Sequence, residues 1–400
     1  MDVRIGAALF IAATAGAVFA DEGPGTYFAP PEGTANVVDA VRADPAAKIE
    51  KTVAFVGGSI TEMHGYRPRV MAALRAKYPD VAFREIAAGI SSTCSDTGAF
   101  RLEEDVLSKG RPDLFFVEES VNDDQDGHFD RTHAIRGMEG ILRHVREKCP
   151  ECEIVVGLMV NVRQYKELMA GKTPFHSGVH REVARHYGAE VADVGAALAK
   201  SAKGGGFSWA QYRDCHPSPE GCDFAAKVVM EAINRVFNPK SAATAHALPP
   251  PMDEKSYCRG TVVPFESLKS VDGWRKSCPN WGKVPGAKRA QFVRGDAIWS
   301  DVPGSSFAFS FRGTSAAAIM TSGPDVGALD VSVDGGDWRR VELASPYSRT
   351  LNYPQTKFLA DDLSEGRHDI RVRVAEATHP WGKGRAVRIH RLVVNGSAEP

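Results

Sequence analysis

Four short stretches hold residue types that could work together chemically. In "AFVGGSIT" an apolar run ends on Gly57 and Gly58 and delivers Ser59, a hydroxyl at a turn from strand into helix. Such a turn is one way to present a nucleophile, because glycines let other atoms approach closely. It equally suits a bound phosphate or a plain helix N-cap. A nucleophilic serine also needs a base for its proton and donors for the oxyanion that follows. "AAGISST" offers Gly89, where a bare backbone N–H can meet a substrate, and "EESVNDD" offers the amide of Asn122. "YRDCHPSPEG" offers His216, ahead of a proline that discourages helix.

These stretches need a scaffold that brings distant loops to one rim. From about Lys51 to Phe237, short apolar runs (Val53 to Val56, Val81 to Ile86, Leu114 to Val117, Ile154 to Val160) alternate with helical spacings such as Ile135, Met138, Ile141, Leu142 and Val145. The runs read as strands buried on both faces, and the alternation predicts a parallel sheet with helices on both sides. In such sheets ligands gather at the carboxyl ends of the strands, where the first three stretches fall, while "YRDCHPSPEG" comes late in the domain, just ahead of a helix. The period then changes. "NPKSAATAHALPPPMDEKS" reads as a linker, over residues 239–256. Beyond it, "SSFAFSFRG", "GALDVSVDGGDWRRVEL" and "GRHDIRVRVAE" alternate apolar and polar residues singly, with Gly335-Gly336 as a hairpin signal. Residues 257–396 are therefore expected to form an antiparallel β-sandwich.

Taken in order, the four blocks resemble the SGNH (GDSL-type) hydrolases over roughly residues 50–238. The resemblance implies a flavodoxin-like three-layer α/β/α domain. It further implies Ser59 as nucleophile, His216 as general base, and Ser59, Gly89 and Asn122 as the oxyanion hole, with no metal or organic cofactor. Three positions depart from the pattern. Gly58 stands before the serine in place of Asp, and Ser120 stands where the third block has Gly. Arg213 occupies the place of the acid three residues before the histidine, so Asp214, one residue late, is the remaining candidate to orient His216.

Other chemistries find less support. No Lys-Ser or Lys-Thr follows the glycines as a P-loop requires. "HSGVH" has His176 and His180 at helical metal-ligand spacing but lacks the adjacent glutamate of a zinc hydrolase. "CPEC" has no second pair at zinc-finger spacing. The acidic runs around Glu103 and in "EESVNDDQD" read as solvated surface or caps rather than as paired glycosidase carboxylates. Cys94 lies near Gly89, yet His216 is better explained by Ser59.

Lys+Arg 49 against Asp+Glu 50 leaves a net charge of -1, so no global field favours nucleic acid or an anionic bilayer. The opening "MDVRIGAALFIAATAGAVFA" places Arg4 before an apolar run ending in small residues, the pattern of a secretory signal cleaved near Ala20. A secreted or periplasmic location is expected, without membrane insertion after cleavage. Export permits disulfides, and local spacing suggests Cys149 with Cys152, Cys215 with Cys222, and Cys258 with Cys278, leaving Cys94 free. Trp274, Trp281, Trp299, Trp338 and Trp381 could stack on sugar rings or fill the sandwich core. The whole arrangement resembles bacterial carbohydrate esterases, which implies O-acetyl ester hydrolysis on a polysaccharide or oligosaccharide. The alternatives are an esterase of small acyl esters or lipids, and a sugar-binding protein whose hydrolase half has lost activity.

Overall fold

The computed structural model describes residues 49–289, 295–376 and 381–399. The expected signal segment lies outside these residues. Among them, no helix is long and apolar enough to cross a membrane.

The first layer system runs β1 (Ile49–Gly57), α1 (Ser59–Glu62), α2 (Tyr66–Lys77), β2 (Val81–Gly89), α3 (Ser95–Asp105), β3 (Leu114–Glu118), α4 (Ser120–Asn122), α5 (Arg131–Lys148), β4 (Glu153–Gly157), α6 (Val162–Met169), α7 (Phe175–His186), β5 (Glu190–Ala192), α8 (Val194–Lys203), α9 (Trp209–Tyr212) and α10 (Pro219–Val236). The strands form one parallel sheet in the order β2-β1-β3-β4-β5, a doubly wound arrangement. Strand periodicity splits the core in two. Ala54, Val56, Phe115 and Val117 face α3, α5 and α7, while Val53, Phe55, Leu114 and Phe116 face α2, α8 and α10. Adjacent parallel strands are in register at Gly57, Gly89 and Glu118, so the residues just beyond them meet at one level of the sheet edge.

The second layer system contains β6 (Gly260–Val263), β7 (Lys269–Asp272), β8 (Arg275–Ser277), β9 (Ala287–Lys288), β10 (Ala297–Ser300), β11 (Ser306–Ser322), β12 (Ala328–Val333), β13 (Arg339–Glu342), β14 (Leu351–Ala360), β15 (Gly366–Val374) and β16 (Val387–Glu399). Apart from the short parallel pair of β9 with β14, its ladders are antiparallel. The 17-residue β11 organises them: its first half pairs β15, its second half pairs β14, and a register shift after Gly313 (φ 154°) lets it pass between layers. Phe307, Phe309 and Phe311 alternate into an apolar core, as the sequence pattern predicts. From Gly313 to Ser322 the alternation fails, because both faces are buried. Ala316, Ala318 and Met320 stay in the β core, whereas Ala317 and Ile319 join the core that contains α3 and α5.

The two systems therefore share an apolar core. Phe100 of α3 stacks on Tyr257 (ring centroids 5.1 Å apart) and tilts against Phe358 (5.8 Å). Arg391 pairs with Asp105 at 2.9 Å. Residues 239–256 are held down rather than free. His246 donates its N–H to the Pro150 carbonyl, Arg143 reaches the Pro249 carbonyl, and the buried Glu139 carboxylate accepts the Asp253 N–H (2.9 Å) and the Tyr187 hydroxyl (2.6 Å). Truncation after Asn238 should therefore fail to give a stable domain. Uncovering Phe100 alone resembles a buried Phe→Ala change of about 3–5 kcal/mol. A cooperative melt in the truncated chain at the full-length temperature would contradict this packing.

All seven cysteines are free thiols, so the pairs suggested by local spacing are not formed. Cys149 and Cys152 sit on the turn entering β4, and Cys222 faces the Pro217 carbonyl from α10. Proximity in sequence does not bring these sulfurs together.

Candidate active site

Ser59 opens α1 directly after β1. The two preceding glycines are required by close approach: a Cβ on Gly57 would lie 2.3 Å from Thr61 Oγ1, and one on Gly58 would lie 2.3 Å from Asn122 Oδ1. The end of β1 is thus pressed against the Asn122 side chain. Gly89 meets the same constraint from the other side, since its Cβ would fall 2.4 Å from the Glu62 nitrogen. Ser91 donates its N–H to the Glu62 carboxylate at 2.6 Å, tying the loop after β2 to α1.

Asn122 closes the short α4 and continues into a π-helical turn, Asp123–Gly127, that ends on His128 in the left-handed region (φ 48°). π-turns and left-handed non-glycine residues cluster at functional sites. Asn122 is almost fully buried and donates Nδ2–H to Asp126 Oδ2 at 2.8 Å. The turn is anchored by its acids. Asp123 accepts the N–H and hydroxyl of Ser95 (2.8 and 2.7 Å) and bonds His180 Nε2 at 2.9 Å. Asp124 accepts from Asn161 Nδ2 (2.9 Å) and bonds His176 Nδ1 (3.1 Å).

These contacts correct one sequence expectation. The acidic run read as solvated surface is buried, with Glu118, Glu119 and Asp123 fully inaccessible. Ser95 and His180 supply partners to Asp123, and Asn161 and His176 supply them to Asp124, whereas the Glu118 and Glu119 carboxyl oxygens are buried without a hydrogen-bond partner among the described residues. Burial and the neighbouring Asp123 push the Glu118 carboxyl up to about 8. The helical pair His176 and His180 is engaged by Asp124 and Asp123.

His216 lies in the loop between α9 and α10, fixed at one end by the Ser218 hydroxyl, which caps α10 by accepting the Gly221 N–H. At the other end Arg213 takes φ 88°, ψ -74°, a strained conformation for a side-chain-bearing residue, and donates to the His216 carbonyl at 3.1 Å. The imidazole Nε2 stands 2.7 Å from Ser59 Oγ. Asp214 does not hydrogen-bond the ring. Its Oδ1 accepts the His216 backbone N–H at 2.6 Å and lies 4.0 Å from Nδ1, so it acts on the ring through charge alone. The nearer neighbour of Nδ1 is Cys215 Sγ, at 3.5 Å. Burial pushes the imidazole below its ordinary pKa of 6.5; Asp214 pulls the other way, and Arg289 and Arg213 add to the lowering.

Arg289, Tyr347 and Tyr353 were missed by the sequence reading. Arg289 donates its backbone N–H to the Asn352 carbonyl, and its charge acts on Glu62, Asp126 and His216. The phenols of Tyr347 and Tyr353 both feel Asp126, after burial itself. These residues come from the second layer system, and no motif or period marks them. Cys94 is no rival nucleophile: its thiol is buried against the Asn122 carbonyl, and burial first, then nearby acids, raise its pKa well above the ordinary value. The tryptophans divide, with Trp338 and Trp381 exposed. Trp274 packs on Phe307, Trp281 is buried, and Trp299 and Trp338 lie under Arg275 and Arg373.

Residues 55–224 match the GDSL-like lipase/acylhydrolase family, and residues 289–382 match the carbohydrate esterase 2 N-terminal family. No curated protein matches by sequence. Among solved structures, a two-domain esterase active on acetylated mannans, co-crystallised with mannopentaose, superposes with a TM-score of 0.67 at 20% identity, covering 88% of this chain and 91% of that one. An acetylxylan esterase from Geobacillus stearothermophilus gives a TM-score of 0.38 at 20% identity, covering 48% of this chain and 97% of its own.

Proposed function

We propose that this chain, which carries a GDSL-like lipase/acylhydrolase domain joined to a carbohydrate-esterase β domain, is an exported serine esterase that removes O-acetyl groups from a polysaccharide. The observation that carries the reading is the 2.7 Å approach of His216 Nε2 to Ser59 Oγ, with the Asn122 side chain packed beside them on Gly58. This is the geometry of a hydroxyl poised to lose its proton to an imidazole.

In the mechanism, His216 takes the Ser59 proton as Oγ attacks the acetyl carbonyl. The backbone N–H groups of Ser59 and Gly89 and the Asn122 amide receive the oxyanion, and the imidazolium returns the proton to the departing sugar oxygen. Water repeats the sequence on the acetyl-serine and releases acetate. No cofactor takes part. The polysaccharide is suggested by the β domain and by the acetylated-mannan activity of the two-domain neighbour. The sequence of the first twenty residues supports export. Acetate release from acetylated glucomannan and acetylated xylan, set against release from a long-chain glyceride, tests the substrate class. Faster turnover of the glyceride would discard the carbohydrate reading while leaving the acyl-transfer chemistry standing.

Two outcomes follow from the surroundings of His216. The base must be neutral to accept a proton, and burial lowers its pKa, so the acid limb of kcat/KM falls below pH 6.5. Asp214 opposes that lowering, so Asp214→Asn should move the limb further to acid. Because the carboxylate is not bonded to the ring, its loss should cost about tenfold in kcat rather than the roughly 10⁴-fold seen when a hydrogen-bonded triad acid is replaced. A 10⁴-fold loss would mean that Asp214 swings onto Nδ1 during turnover.

A further inference from the structure

Three consecutive side chains, Asp214, Cys215 and His216, bring a carboxylate oxygen, a thiol sulfur and a ring nitrogen within 4.8 Å of one another, the one such grouping of potential metal ligands among the described residues. All three are partly accessible to solvent. The spacing is specific. Zinc bonds of about 2.3 Å to sulfur and about 2.05 Å to nitrogen, at a tetrahedral angle, set the S···N edge at about 3.5 Å. Cys215 Sγ and His216 Nδ1 are 3.5 Å apart. The matching N···O edge is about 3.3 Å. Asp214 Oδ1 lies 4.0 Å from Nδ1, on a side chain exposed enough to close the difference.

We propose that Cys215, His216 Nδ1 and Asp214 form an inhibitory chelate for a thiophilic divalent cation such as Zn²⁺ or Cd²⁺, with a solvent molecule as fourth ligand. The chelate is a switch on the base and not a cofactor. For His216 to accept the Ser59 proton, the neutral ring must carry its own proton on Nδ1 and leave the Nε2 lone pair facing Oγ. A metal bound at Nδ1 takes the lone pair of Nδ1, which therefore cannot carry the proton. The ring proton then resides on Nε2, which donates to Ser59 instead of accepting from it. The thiol releases one proton to solvent as it becomes a thiolate ligand, and no bond to substrate is involved. Esterase turnover stops with the active site otherwise intact.

The inference needs only hydrolysis of a chromogenic acetate, so it survives failure of the polysaccharide reading. The full chain is titrated with zinc sulfate or cadmium chloride, and each variant is scored against its own metal-free rate. Wild type should be inhibited and should recover on adding a chelator. Cys215→Ala and Cys215→Ser should need roughly tenfold more metal, or beyond. A second readout is independent of catalysis: the ultraviolet cadmium–thiolate absorption of inactive Ser59→Ala should equal that of wild type, and Cys215→Ala should lack one thiolate's share of it. His216→Ala, with the thiol intact, should bind cadmium roughly tenfold more weakly. Equal metal sensitivity in wild type and both Cys215 variants, or a cadmium band that Cys215→Ala leaves undiminished, overturns the proposal.

Discussion

Ser59→Ala should lower kcat/KM on a chromogenic acetate by roughly 10⁴- to 10⁶-fold while leaving the melting temperature near that of wild type. The size of the effect follows from covalency. Without Oγ there is no acyl-enzyme, and what remains is water attacking a substrate that the oxyanion donors still hold. The structural cost is small because Ser59 is half-buried and makes no side-chain cap on α1; its side chain hydrogen-bonds His216. His216→Ala should lose about as much, and the double variant little more, since the two groups act as a unit. Independent, multiplying losses would show that the 2.7 Å contact is structural.

Asn122→Ala carries the second largest expected effect, a loss of about 10²- to 10³-fold in kcat with little change in KM. The amide lies against Gly58, one residue before the nucleophile, and one of its N–H groups is already committed to Asp126 at 2.8 Å. That bond fixes the side-chain plane, so the second N–H can be aimed before substrate arrives. Removing the amide also frees Asp126, whose carboxyl is pushed up by burial. Losing a hydrogen bond to a carboxyl group costs about 1–3 kcal/mol of stability, which a melting curve separates from the kinetic loss. A KM rise at constant kcat would instead assign Asn122 to ground-state binding.

Much of this site was legible from local signals. Ser59, Gly89 and Asn122 each follow an apolar strand run, and parallel register alone brings three adjacent strand ends to one level. The two-domain organisation was readable from the change of period near Phe237. What sequence could not show depends on contacts made at long range. Arg213 displaces the expected acid by one position, and only the backbone geometry there reveals that Asp214 turns to the His216 amide rather than to the ring. The acidic run after β3 looks solvated until Ser95, Asn161, His176 and His180 are seen to meet it. The doubly buried half of β11 breaks strand alternation because Ala317 and Ile319 join the core that contains α3 and α5, and no pattern within β11 announces that partner. Arg289 reaches the site from a stretch with no period at all.

The central claim is that Ser59 forms a covalent acyl intermediate through His216. Peptide mass spectrometry after brief exposure to a fluorophosphonate ester probe tests it most directly. The account predicts a single adduct on Ser59 in wild type, accompanied by complete loss of acetate hydrolysis, and no adduct in His216→Ala. An adduct confined to another residue, or full inactivation with Ser59 unmodified, would contradict it.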